Sequence, residues 1–253
     1  MPALAWLKAP GMPRRRHSRH LDGPSPALCD TCHVRVRDDP LHPDPGFADL
    51  FAALPDEEDL FPWLDWCRSA TPPVLYLGIG TGRIAVPLHR AGIELVGVDA
   101  HPGMLAHLRR RDAGIQGHQS LIANLALERR FDLVMGPSSI LAEDENLAAA
   151  VRHLQPGGRV GMELMNPHWL SSRRHDGVRL RHKPDGSSLM EVDYRLPDGS
   201  VVVQVVDDMR MGPNPEDTED RLDRFGLTLM WMGAREDQDL EDSPTYFVLA
   251  SLS

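Results

Sequence analysis

Short apolar runs of strand length and amphipathic stretches of helical period alternate along most of the chain, the pattern of an α/β fold built on parallel strands. Val74-Leu75-Tyr76-Leu77 is the first clear strand run, and Gly78-Ile79-Gly80-Thr81-Gly82 follows it as a tight turn. Residues 83–91 have helical composition and end at Gly92; a second strand, 94–98, ends in Asp99. A helix is predicted over 102–111, with Met104, Leu105 and Leu108 inward and Arg109-Arg110-Arg111 in its last turn. Basic residues are favoured there by the helix dipole. A strand and loop are expected at about 119–125, strands at 131–138 and 160–165, and between them a helix over 141–154 that Gly157 and Gly158 stop. Beyond residue 165 the period changes. Pro-Asp-Gly-Ser recurs at 184–187 and 197–200, between β-type runs at 178–182, 189–195 and 201–206. Such turn signals predict a three-stranded antiparallel meander. An acidic helix at 216–225 and a last pair of strands, 227–232 and 246–251, complete this part. Upstream, 47–53 and 57–69 read as short helices; in the second, Leu60, Phe61, Leu64 and Cys67 recur at three- to four-residue steps and lay one face on a core.

Composition sets residues 1–45 apart. They are rich in Pro, Arg and His and read as a poorly ordered extension preceding one domain, 46–253. Within the extension, His17, His20, Cys29 and Cys32 form a conspicuous cluster, with His33 completing a Cys-x-x-Cys-His haem-attachment pattern. Haem attachment needs export, and no apolar segment follows Arg14-Arg15-Arg16 to serve as a signal. A tetrahedral zinc site is the other chemistry these four residues suit, but the usual finger order and spacing are absent, so reduced cysteines and no metal are expected. Three cysteines in 253 residues suit a reducing cytoplasm. A net charge of −10 argues against a nucleic-acid footprint. No apolar run reaches the length of a membrane span.

The chemistry concentrates between residues 74 and 105. Glycines at 78, 80 and 82 let the backbone turn sharply and approach a ligand that a Cβ would push away. A carboxylate about 20 residues on, at the tip of the next strand, can accept from both hydroxyls of a ribose. The dinucleotide spacing G-x-G-x-x-G would need glycine at 83, where Arg83 stands. The turn resembles instead motif I of the class I S-adenosylmethionine (SAM) dependent methyltransferases, and 98–105, Val-Asp-Ala-His-Pro-Gly-Met-Leu, resembles their second motif. Phe131 to Ser138 resembles motif IV, Gln155-Pro156-Gly157-Gly158-Arg159 the "L-x-P-G-G-R" turn, and 242–250 the closing strand.

The resemblance spans about 46–253. It implies a Rossmann-like, doubly wound seven-stranded sheet with its last strand antiparallel, and the meander as an antiparallel insertion after the fifth strand, a lid and a homodimer surface over 178–206. It implies SAM as cofactor, held by Tyr76, Gly78, Ile79, Gly80, Thr81, Gly82, Asp99, Ala100, Met104, Asn124, Gly136 and Pro137. Tyr76 stands where the family has the carboxylate facing the methionine amino group, and Leu121 where it has the adenine-side acid, with Asn124 the nearby polar substitute. Only Asp99 keeps its acidic contact. Ser138, Ser139 and Trp169 are candidate acceptor contacts, and His168 a candidate general base because its ordinary pKa lies near neutrality. The activity implied is methyl transfer to an N or O atom of a small-molecule acceptor. The alternatives are a regulatory protein that binds SAM or its demethylated product, S-adenosylhomocysteine (SAH), and a methyltransferase-fold scaffold without catalysis.

Overall fold

A computed structural model describes residues 34–172, 175–235 and 238–253. In chain order its elements are β1 (Val34–Arg37), α1 (Pro45–Ala53), α2 (Trp63–Arg68), β2 (Val74–Leu77), α3 (Ala85–Arg90), β3 (Leu95–Asp99), α4 (Pro102–Arg111), β4 (Gln116–Gln119), β5 (Phe131–Gly136), α5 (Asp144–Arg152), β6 (Leu154–Met165), α6 (Pro167–Ser172), β7 (Val178–His182), β8 (Ser188–Arg195), β9 (Val201–Met209), α7 (Thr218–Asp223), β10 (Leu227–Gly233) and β11 (Thr245–Leu252).

Seven strands form the main sheet in the order β10-β11-β6-β5-β2-β3-β4. The five strands β2 to β6 run parallel, while β11 is antiparallel to both β6 and β10, as expected for the closing strand. Because strand side chains alternate between faces, the central strands supply two cores. Leu75, Leu77, Val98, Val134 and Met162 face one way. Val74, Tyr76, Leu133, Met135 and Phe247 face the other, under α2 and α3.

Element limits differ from the sequence expectation where local chemistry competes. The fourth strand lies at Gln116–Gln119, upstream of the expected 119–125, and a 3-10 turn, Ile122–Asn124, occupies part of the expected span. A Gln-Gly-His-Gln edge strand carries no apolar alternation to reveal it. The helix expected from 57 starts only at Trp63, directly after Pro62. That expected at 141–154 divides into a 3-10 turn, Ile140–Ala142, and α5.

The meander forms as expected, with Gly186 (φ 82°) and Gly199 (φ 86°) at its two turns. It belongs to a second sheet, β1-β9-β8-β7, whose first strand was not anticipated. β1 pairs parallel to β9, Val36 opposite Gln204. Residues 34–44 are therefore not part of a poorly ordered extension. The Val-Arg-Val-Arg alternation puts Val36 into a core with Phe47, Phe51, Val192 and Tyr194, and the Pro/His-rich composition around it had hidden that period. The Cys29, Cys32, His17 and His20 cluster lies outside the described residues. Among the described residues no group of His, Cys, Asp or Glu is placed to hold a metal ion, and no helix is long and apolar enough to cross a membrane. Deleting residues 34–45 is expected to lower the melting temperature by several degrees, because it removes the buried Val36 and the cap of α1; equal melting curves for the two chains would contradict the role given to β1.

Candidate active site

The glycine turn leaves β2 with all three of its glycines at positive φ: Gly78 71°, Gly80 59°, Gly82 86°. Gly78 N and Ile79 N both donate to the Val98 carbonyl, at 2.8 and 3.0 Å, which bends the turn toward the tip of β3. A Cβ at Gly82 would lie 2.6 Å from Leu108, so α4 packs directly on the turn. A Cβ at Gly80 would have Met104 Sδ, 4.0 Å away, as its nearest neighbour. Gly80 thus leaves its backbone open to close approach, as a cofactor turn requires.

Asp99 ties the two motifs together. One carboxylate oxygen accepts from Gly80 N and the other from His101 N, each at 2.8 Å. Each oxygen keeps a second lone pair, so a diol can still be bound. Burial pushes the Asp99 pKa above the ordinary aspartate value, opposed by those two backbone bonds.

His101 was not singled out in the sequence. Its Nδ1 accepts from Gly103 N and Met104 N at the start of α4, while Nε2–H donates to the Asp44 carbonyl at 2.8 Å. The carboxylate of Asp44 in turn accepts from Gly46 N, capping α1, and from Arg37 N. Both helix starts are therefore joined at one point beside the turn. A histidine replaces the usual small cap here, which is why the position carried no signal.

Above this frame lies a cavity of about 240 Å³. Gly78, Asp99, Ala100, His101 and Met104 form its floor, and Leu121, Ile122 and Ala123 one side. Pro137, Ile140, Glu143 and Asn146 bound another side, Phe47 of α1 a further one, and Asp38–Pro40 after β1 and Val206–Met209 of β9 close it from the second sheet. Six carboxylates line it, from Asp38, Asp39, Asp99, Glu143, Asp207 and Asp208, with no Lys or Arg among the lining residues. Lys183, at the β7–β8 turn, bridges Asp207 and Asp208. Burial also raises the Asp38 pKa.

Of the residues expected to hold the cofactor, Gly78, Asp99, Ala100, Met104 and Pro137 line the cavity. Ile79, Gly80, Thr81 and Gly82 form the turn beneath, where Thr81 Oγ1 donates to the Phe51 carbonyl. Gly136 is closed off, since a Cβ there would lie 2.4 Å from Leu141. The other expected residues lie outside the cavity lining. Tyr76 is only 3% exposed and sits in the core among Trp63, Cys67 and Met135. Burial first, then the Glu163 charge, pushes its phenol pKa up, so it stays neutral. Asn124 is exposed outside the lining, and Leu121 to Ala123 take its place. Ser139 Oγ accepts from Met165 N at 2.7 Å and is thereby engaged in the fold. Ser138 is not among the lining residues either. His168, 58% exposed, pairs with Glu216 at 2.7 Å and is not among the residues that line this cavity. Trp169 stacks on His175 with ring centroids 3.5 Å apart.

Residues 74–158 match a family model described as a methyltransferase domain. No curated protein matches the chain. Solved structures with the same fold include the CcbJ methyltransferase from Streptomyces caelestis, 21% identical over 85% of this chain and 92% of that one, TM-score 0.59. An S-adenosylmethionine-dependent methyltransferase from Clostridium acetobutylicum is 19% identical over 78% and 93%, TM-score 0.61. SAM-bound CalS10, an amino pentose methyltransferase from Micromonospora echinaspora, is 18% identical over 82% and 97%, TM-score 0.57.

Proposed function

We propose that this chain is a class I methyltransferase with SAM as its cofactor and that it transfers the methyl group to a nitrogen or oxygen of a small-molecule acceptor. The observation that carries the reading is Asp99 bonded to Gly80 N at the floor of a cavity that the second sheet closes. The residues present fit the cofactor. Gly78 and Gly80 admit close backbone approach, Asp99 keeps lone pairs for the ribose diol, and Leu121, Ile122 and Ala123 supply an apolar wall for a flat base. Bound SAM supplies an activated methyl on a sulfonium leaving group.

The chain's own part is alignment and exclusion of water. Holding donor and acceptor in line can supply roughly 7–11 kcal/mol of the barrier reduction. The cavity's carboxylates disfavour anionic acceptors and suit neutral or cationic ones. The catalytic unit in this reading begins at β1 rather than at residue 46, and β7–β9 form its lid.

Calorimetry with SAM and with SAH tests the cofactor; binding of neither would select the scaffold reading. A pH series tests Asp99. Its raised pKa means that SAM affinity should fall on the acid side at a pH above the ordinary 3.8, as the acceptor carboxylate is protonated. Stability runs the other way. The folded protein holds the Asp99 proton more tightly than the unfolded chain, so this group's contribution declines as pH rises from the unfolded value through the folded one. Affinity that shows no fall on the acid side would remove Asp99 from the cofactor site.

A further inference from the structure

The turn after β5 is held in an uncommon shape. Ser138 (φ 58°) and Ser139 (φ 61°) are consecutive and left-handed, a region L side chains occupy only when their surroundings over-determine it. Three bonds from β6 do so. Glu163 Oε2 accepts from Ser138 N at 2.9 Å, the Glu163 carbonyl accepts from Ser139 N at 2.9 Å, and Met165 N donates to Ser139 Oγ. Glu163 is 1% exposed, an expensive place for a carboxylate if packing were its only task.

What the turn carries explains the expense. Pro137 before it and Ile140 after it both line the cavity. Ile140 Cδ1 and Cγ1 stand 3.3 Å from where a Cβ on Gly78 would lie, so the turn meets the glycine turn across the cleft. We propose that Glu163 is a positioning residue of the cofactor cleft, acting through the left-handed Ser138–Ser139 turn to set Pro137 and Ile140 against Gly78. The inference rests on the methyltransferase reading for its ligand, not for its geometry.

The test combines amide hydrogen exchange at Ser138 and Ser139 with SAM titration of Glu163→Gln, Glu163→Ala and Glu163→Ala/Ser138→Gly. Exchange at the two amides should quicken several-fold in Glu163→Gln, whose amide oxygen still accepts without charge, and more in Glu163→Ala. SAM affinity should weaken about tenfold in Glu163→Ala. Glycine at 138 adopts positive φ without a holding bond, so the double variant should regain most of that loss. Loss of a buried charge alone would show no such rescue. Unchanged exchange and affinity in Glu163→Ala, or no recovery in the double variant, overturns the proposal. Should Glu163→Ala fail to fold, unchanged exchange in Glu163→Gln does the same. A wild-type chain that binds no SAM removes the methyltransferase reading instead, and the exchange arm still decides the role of Glu163.

Discussion

Asp99→Ala is expected to weaken SAM binding by more than tenfold and to lower the melting temperature as well. The carboxylate accepts from Gly80 N and His101 N, each at 2.8 Å, so its removal strips the acceptor from two backbone donors at once. Leaving a donor without its partner costs about 1–3 kcal/mol when it is buried, and the part-buried position puts each bond here toward the lower end. The binding loss adds the ribose contacts, which are charge-assisted and worth about 1.5–3 kcal/mol. Asp99→Asn should recover part of both effects, since one amide oxygen accepts while the NH₂ faces a donor. Calorimetric titration beside thermal melting separates the two losses. A fall in stability with unchanged SAM affinity would confine Asp99 to the scaffold of the turn.

Gly97→Ala should be damaging although residue 97 touches no ligand. A Cβ there would lie 2.2 Å from Ile79 Cδ1, 2.9 Å from Cγ2 and 3.0 Å from Cβ. Because the Ile79 Cβ is itself in the contact, no rotamer change clears it, and the glycine turn must move. Overpacking of this kind costs about 1–3 kcal/mol, which for a chain of this size lowers the melting temperature by roughly 2–12 °C. The displaced segment is the one that meets the cofactor, so SAM affinity should fall with stability. A Gly97→Ala protein that melts and binds like wild type would show that β3 has more room than its geometry indicates.

How far the sequence carried the reading depended on whether a residue's task has a local signature. The glycine turn and Asp99 at the tip of the next strand were legible because close approach demands glycine and a diol demands an acceptor at a set spacing. So was the meander, through its repeated Pro-Asp-Gly-Ser. Gly97 carried a weaker signal, since an isolated glycine within a strand suggests a close neighbour. β1 was missed because four residues of alternation, Val34 to Arg37, are too few to stand out beside a Pro- and His-rich segment. His101 was missed because an imidazole seldom does the work of a helix cap. The candidate acceptor contacts stand elsewhere for a different reason: His168 and Trp169 do follow β6, but α6 carries them outside the cavity lining, toward Glu216 and His175. Sequence adjacency to a strand end says nothing of the direction the chain takes next.

The pairing of β1 with β9 sets a timetable for synthesis. Val34 lies opposite Val202, so the two strands are separated by most of the chain. A ribosome has made the glycine turn, Asp99 and β5 long before β9 emerges, and for that interval Phe47 and Met104 have no second sheet to cover them. Contacts of such long range form slowly, since loop closure must precede any gain from them. The nascent chain therefore holds a cofactor floor without a roof, and Val36 waits for a partner not yet translated. Folding of this chain should finish at the cavity rather than begin there.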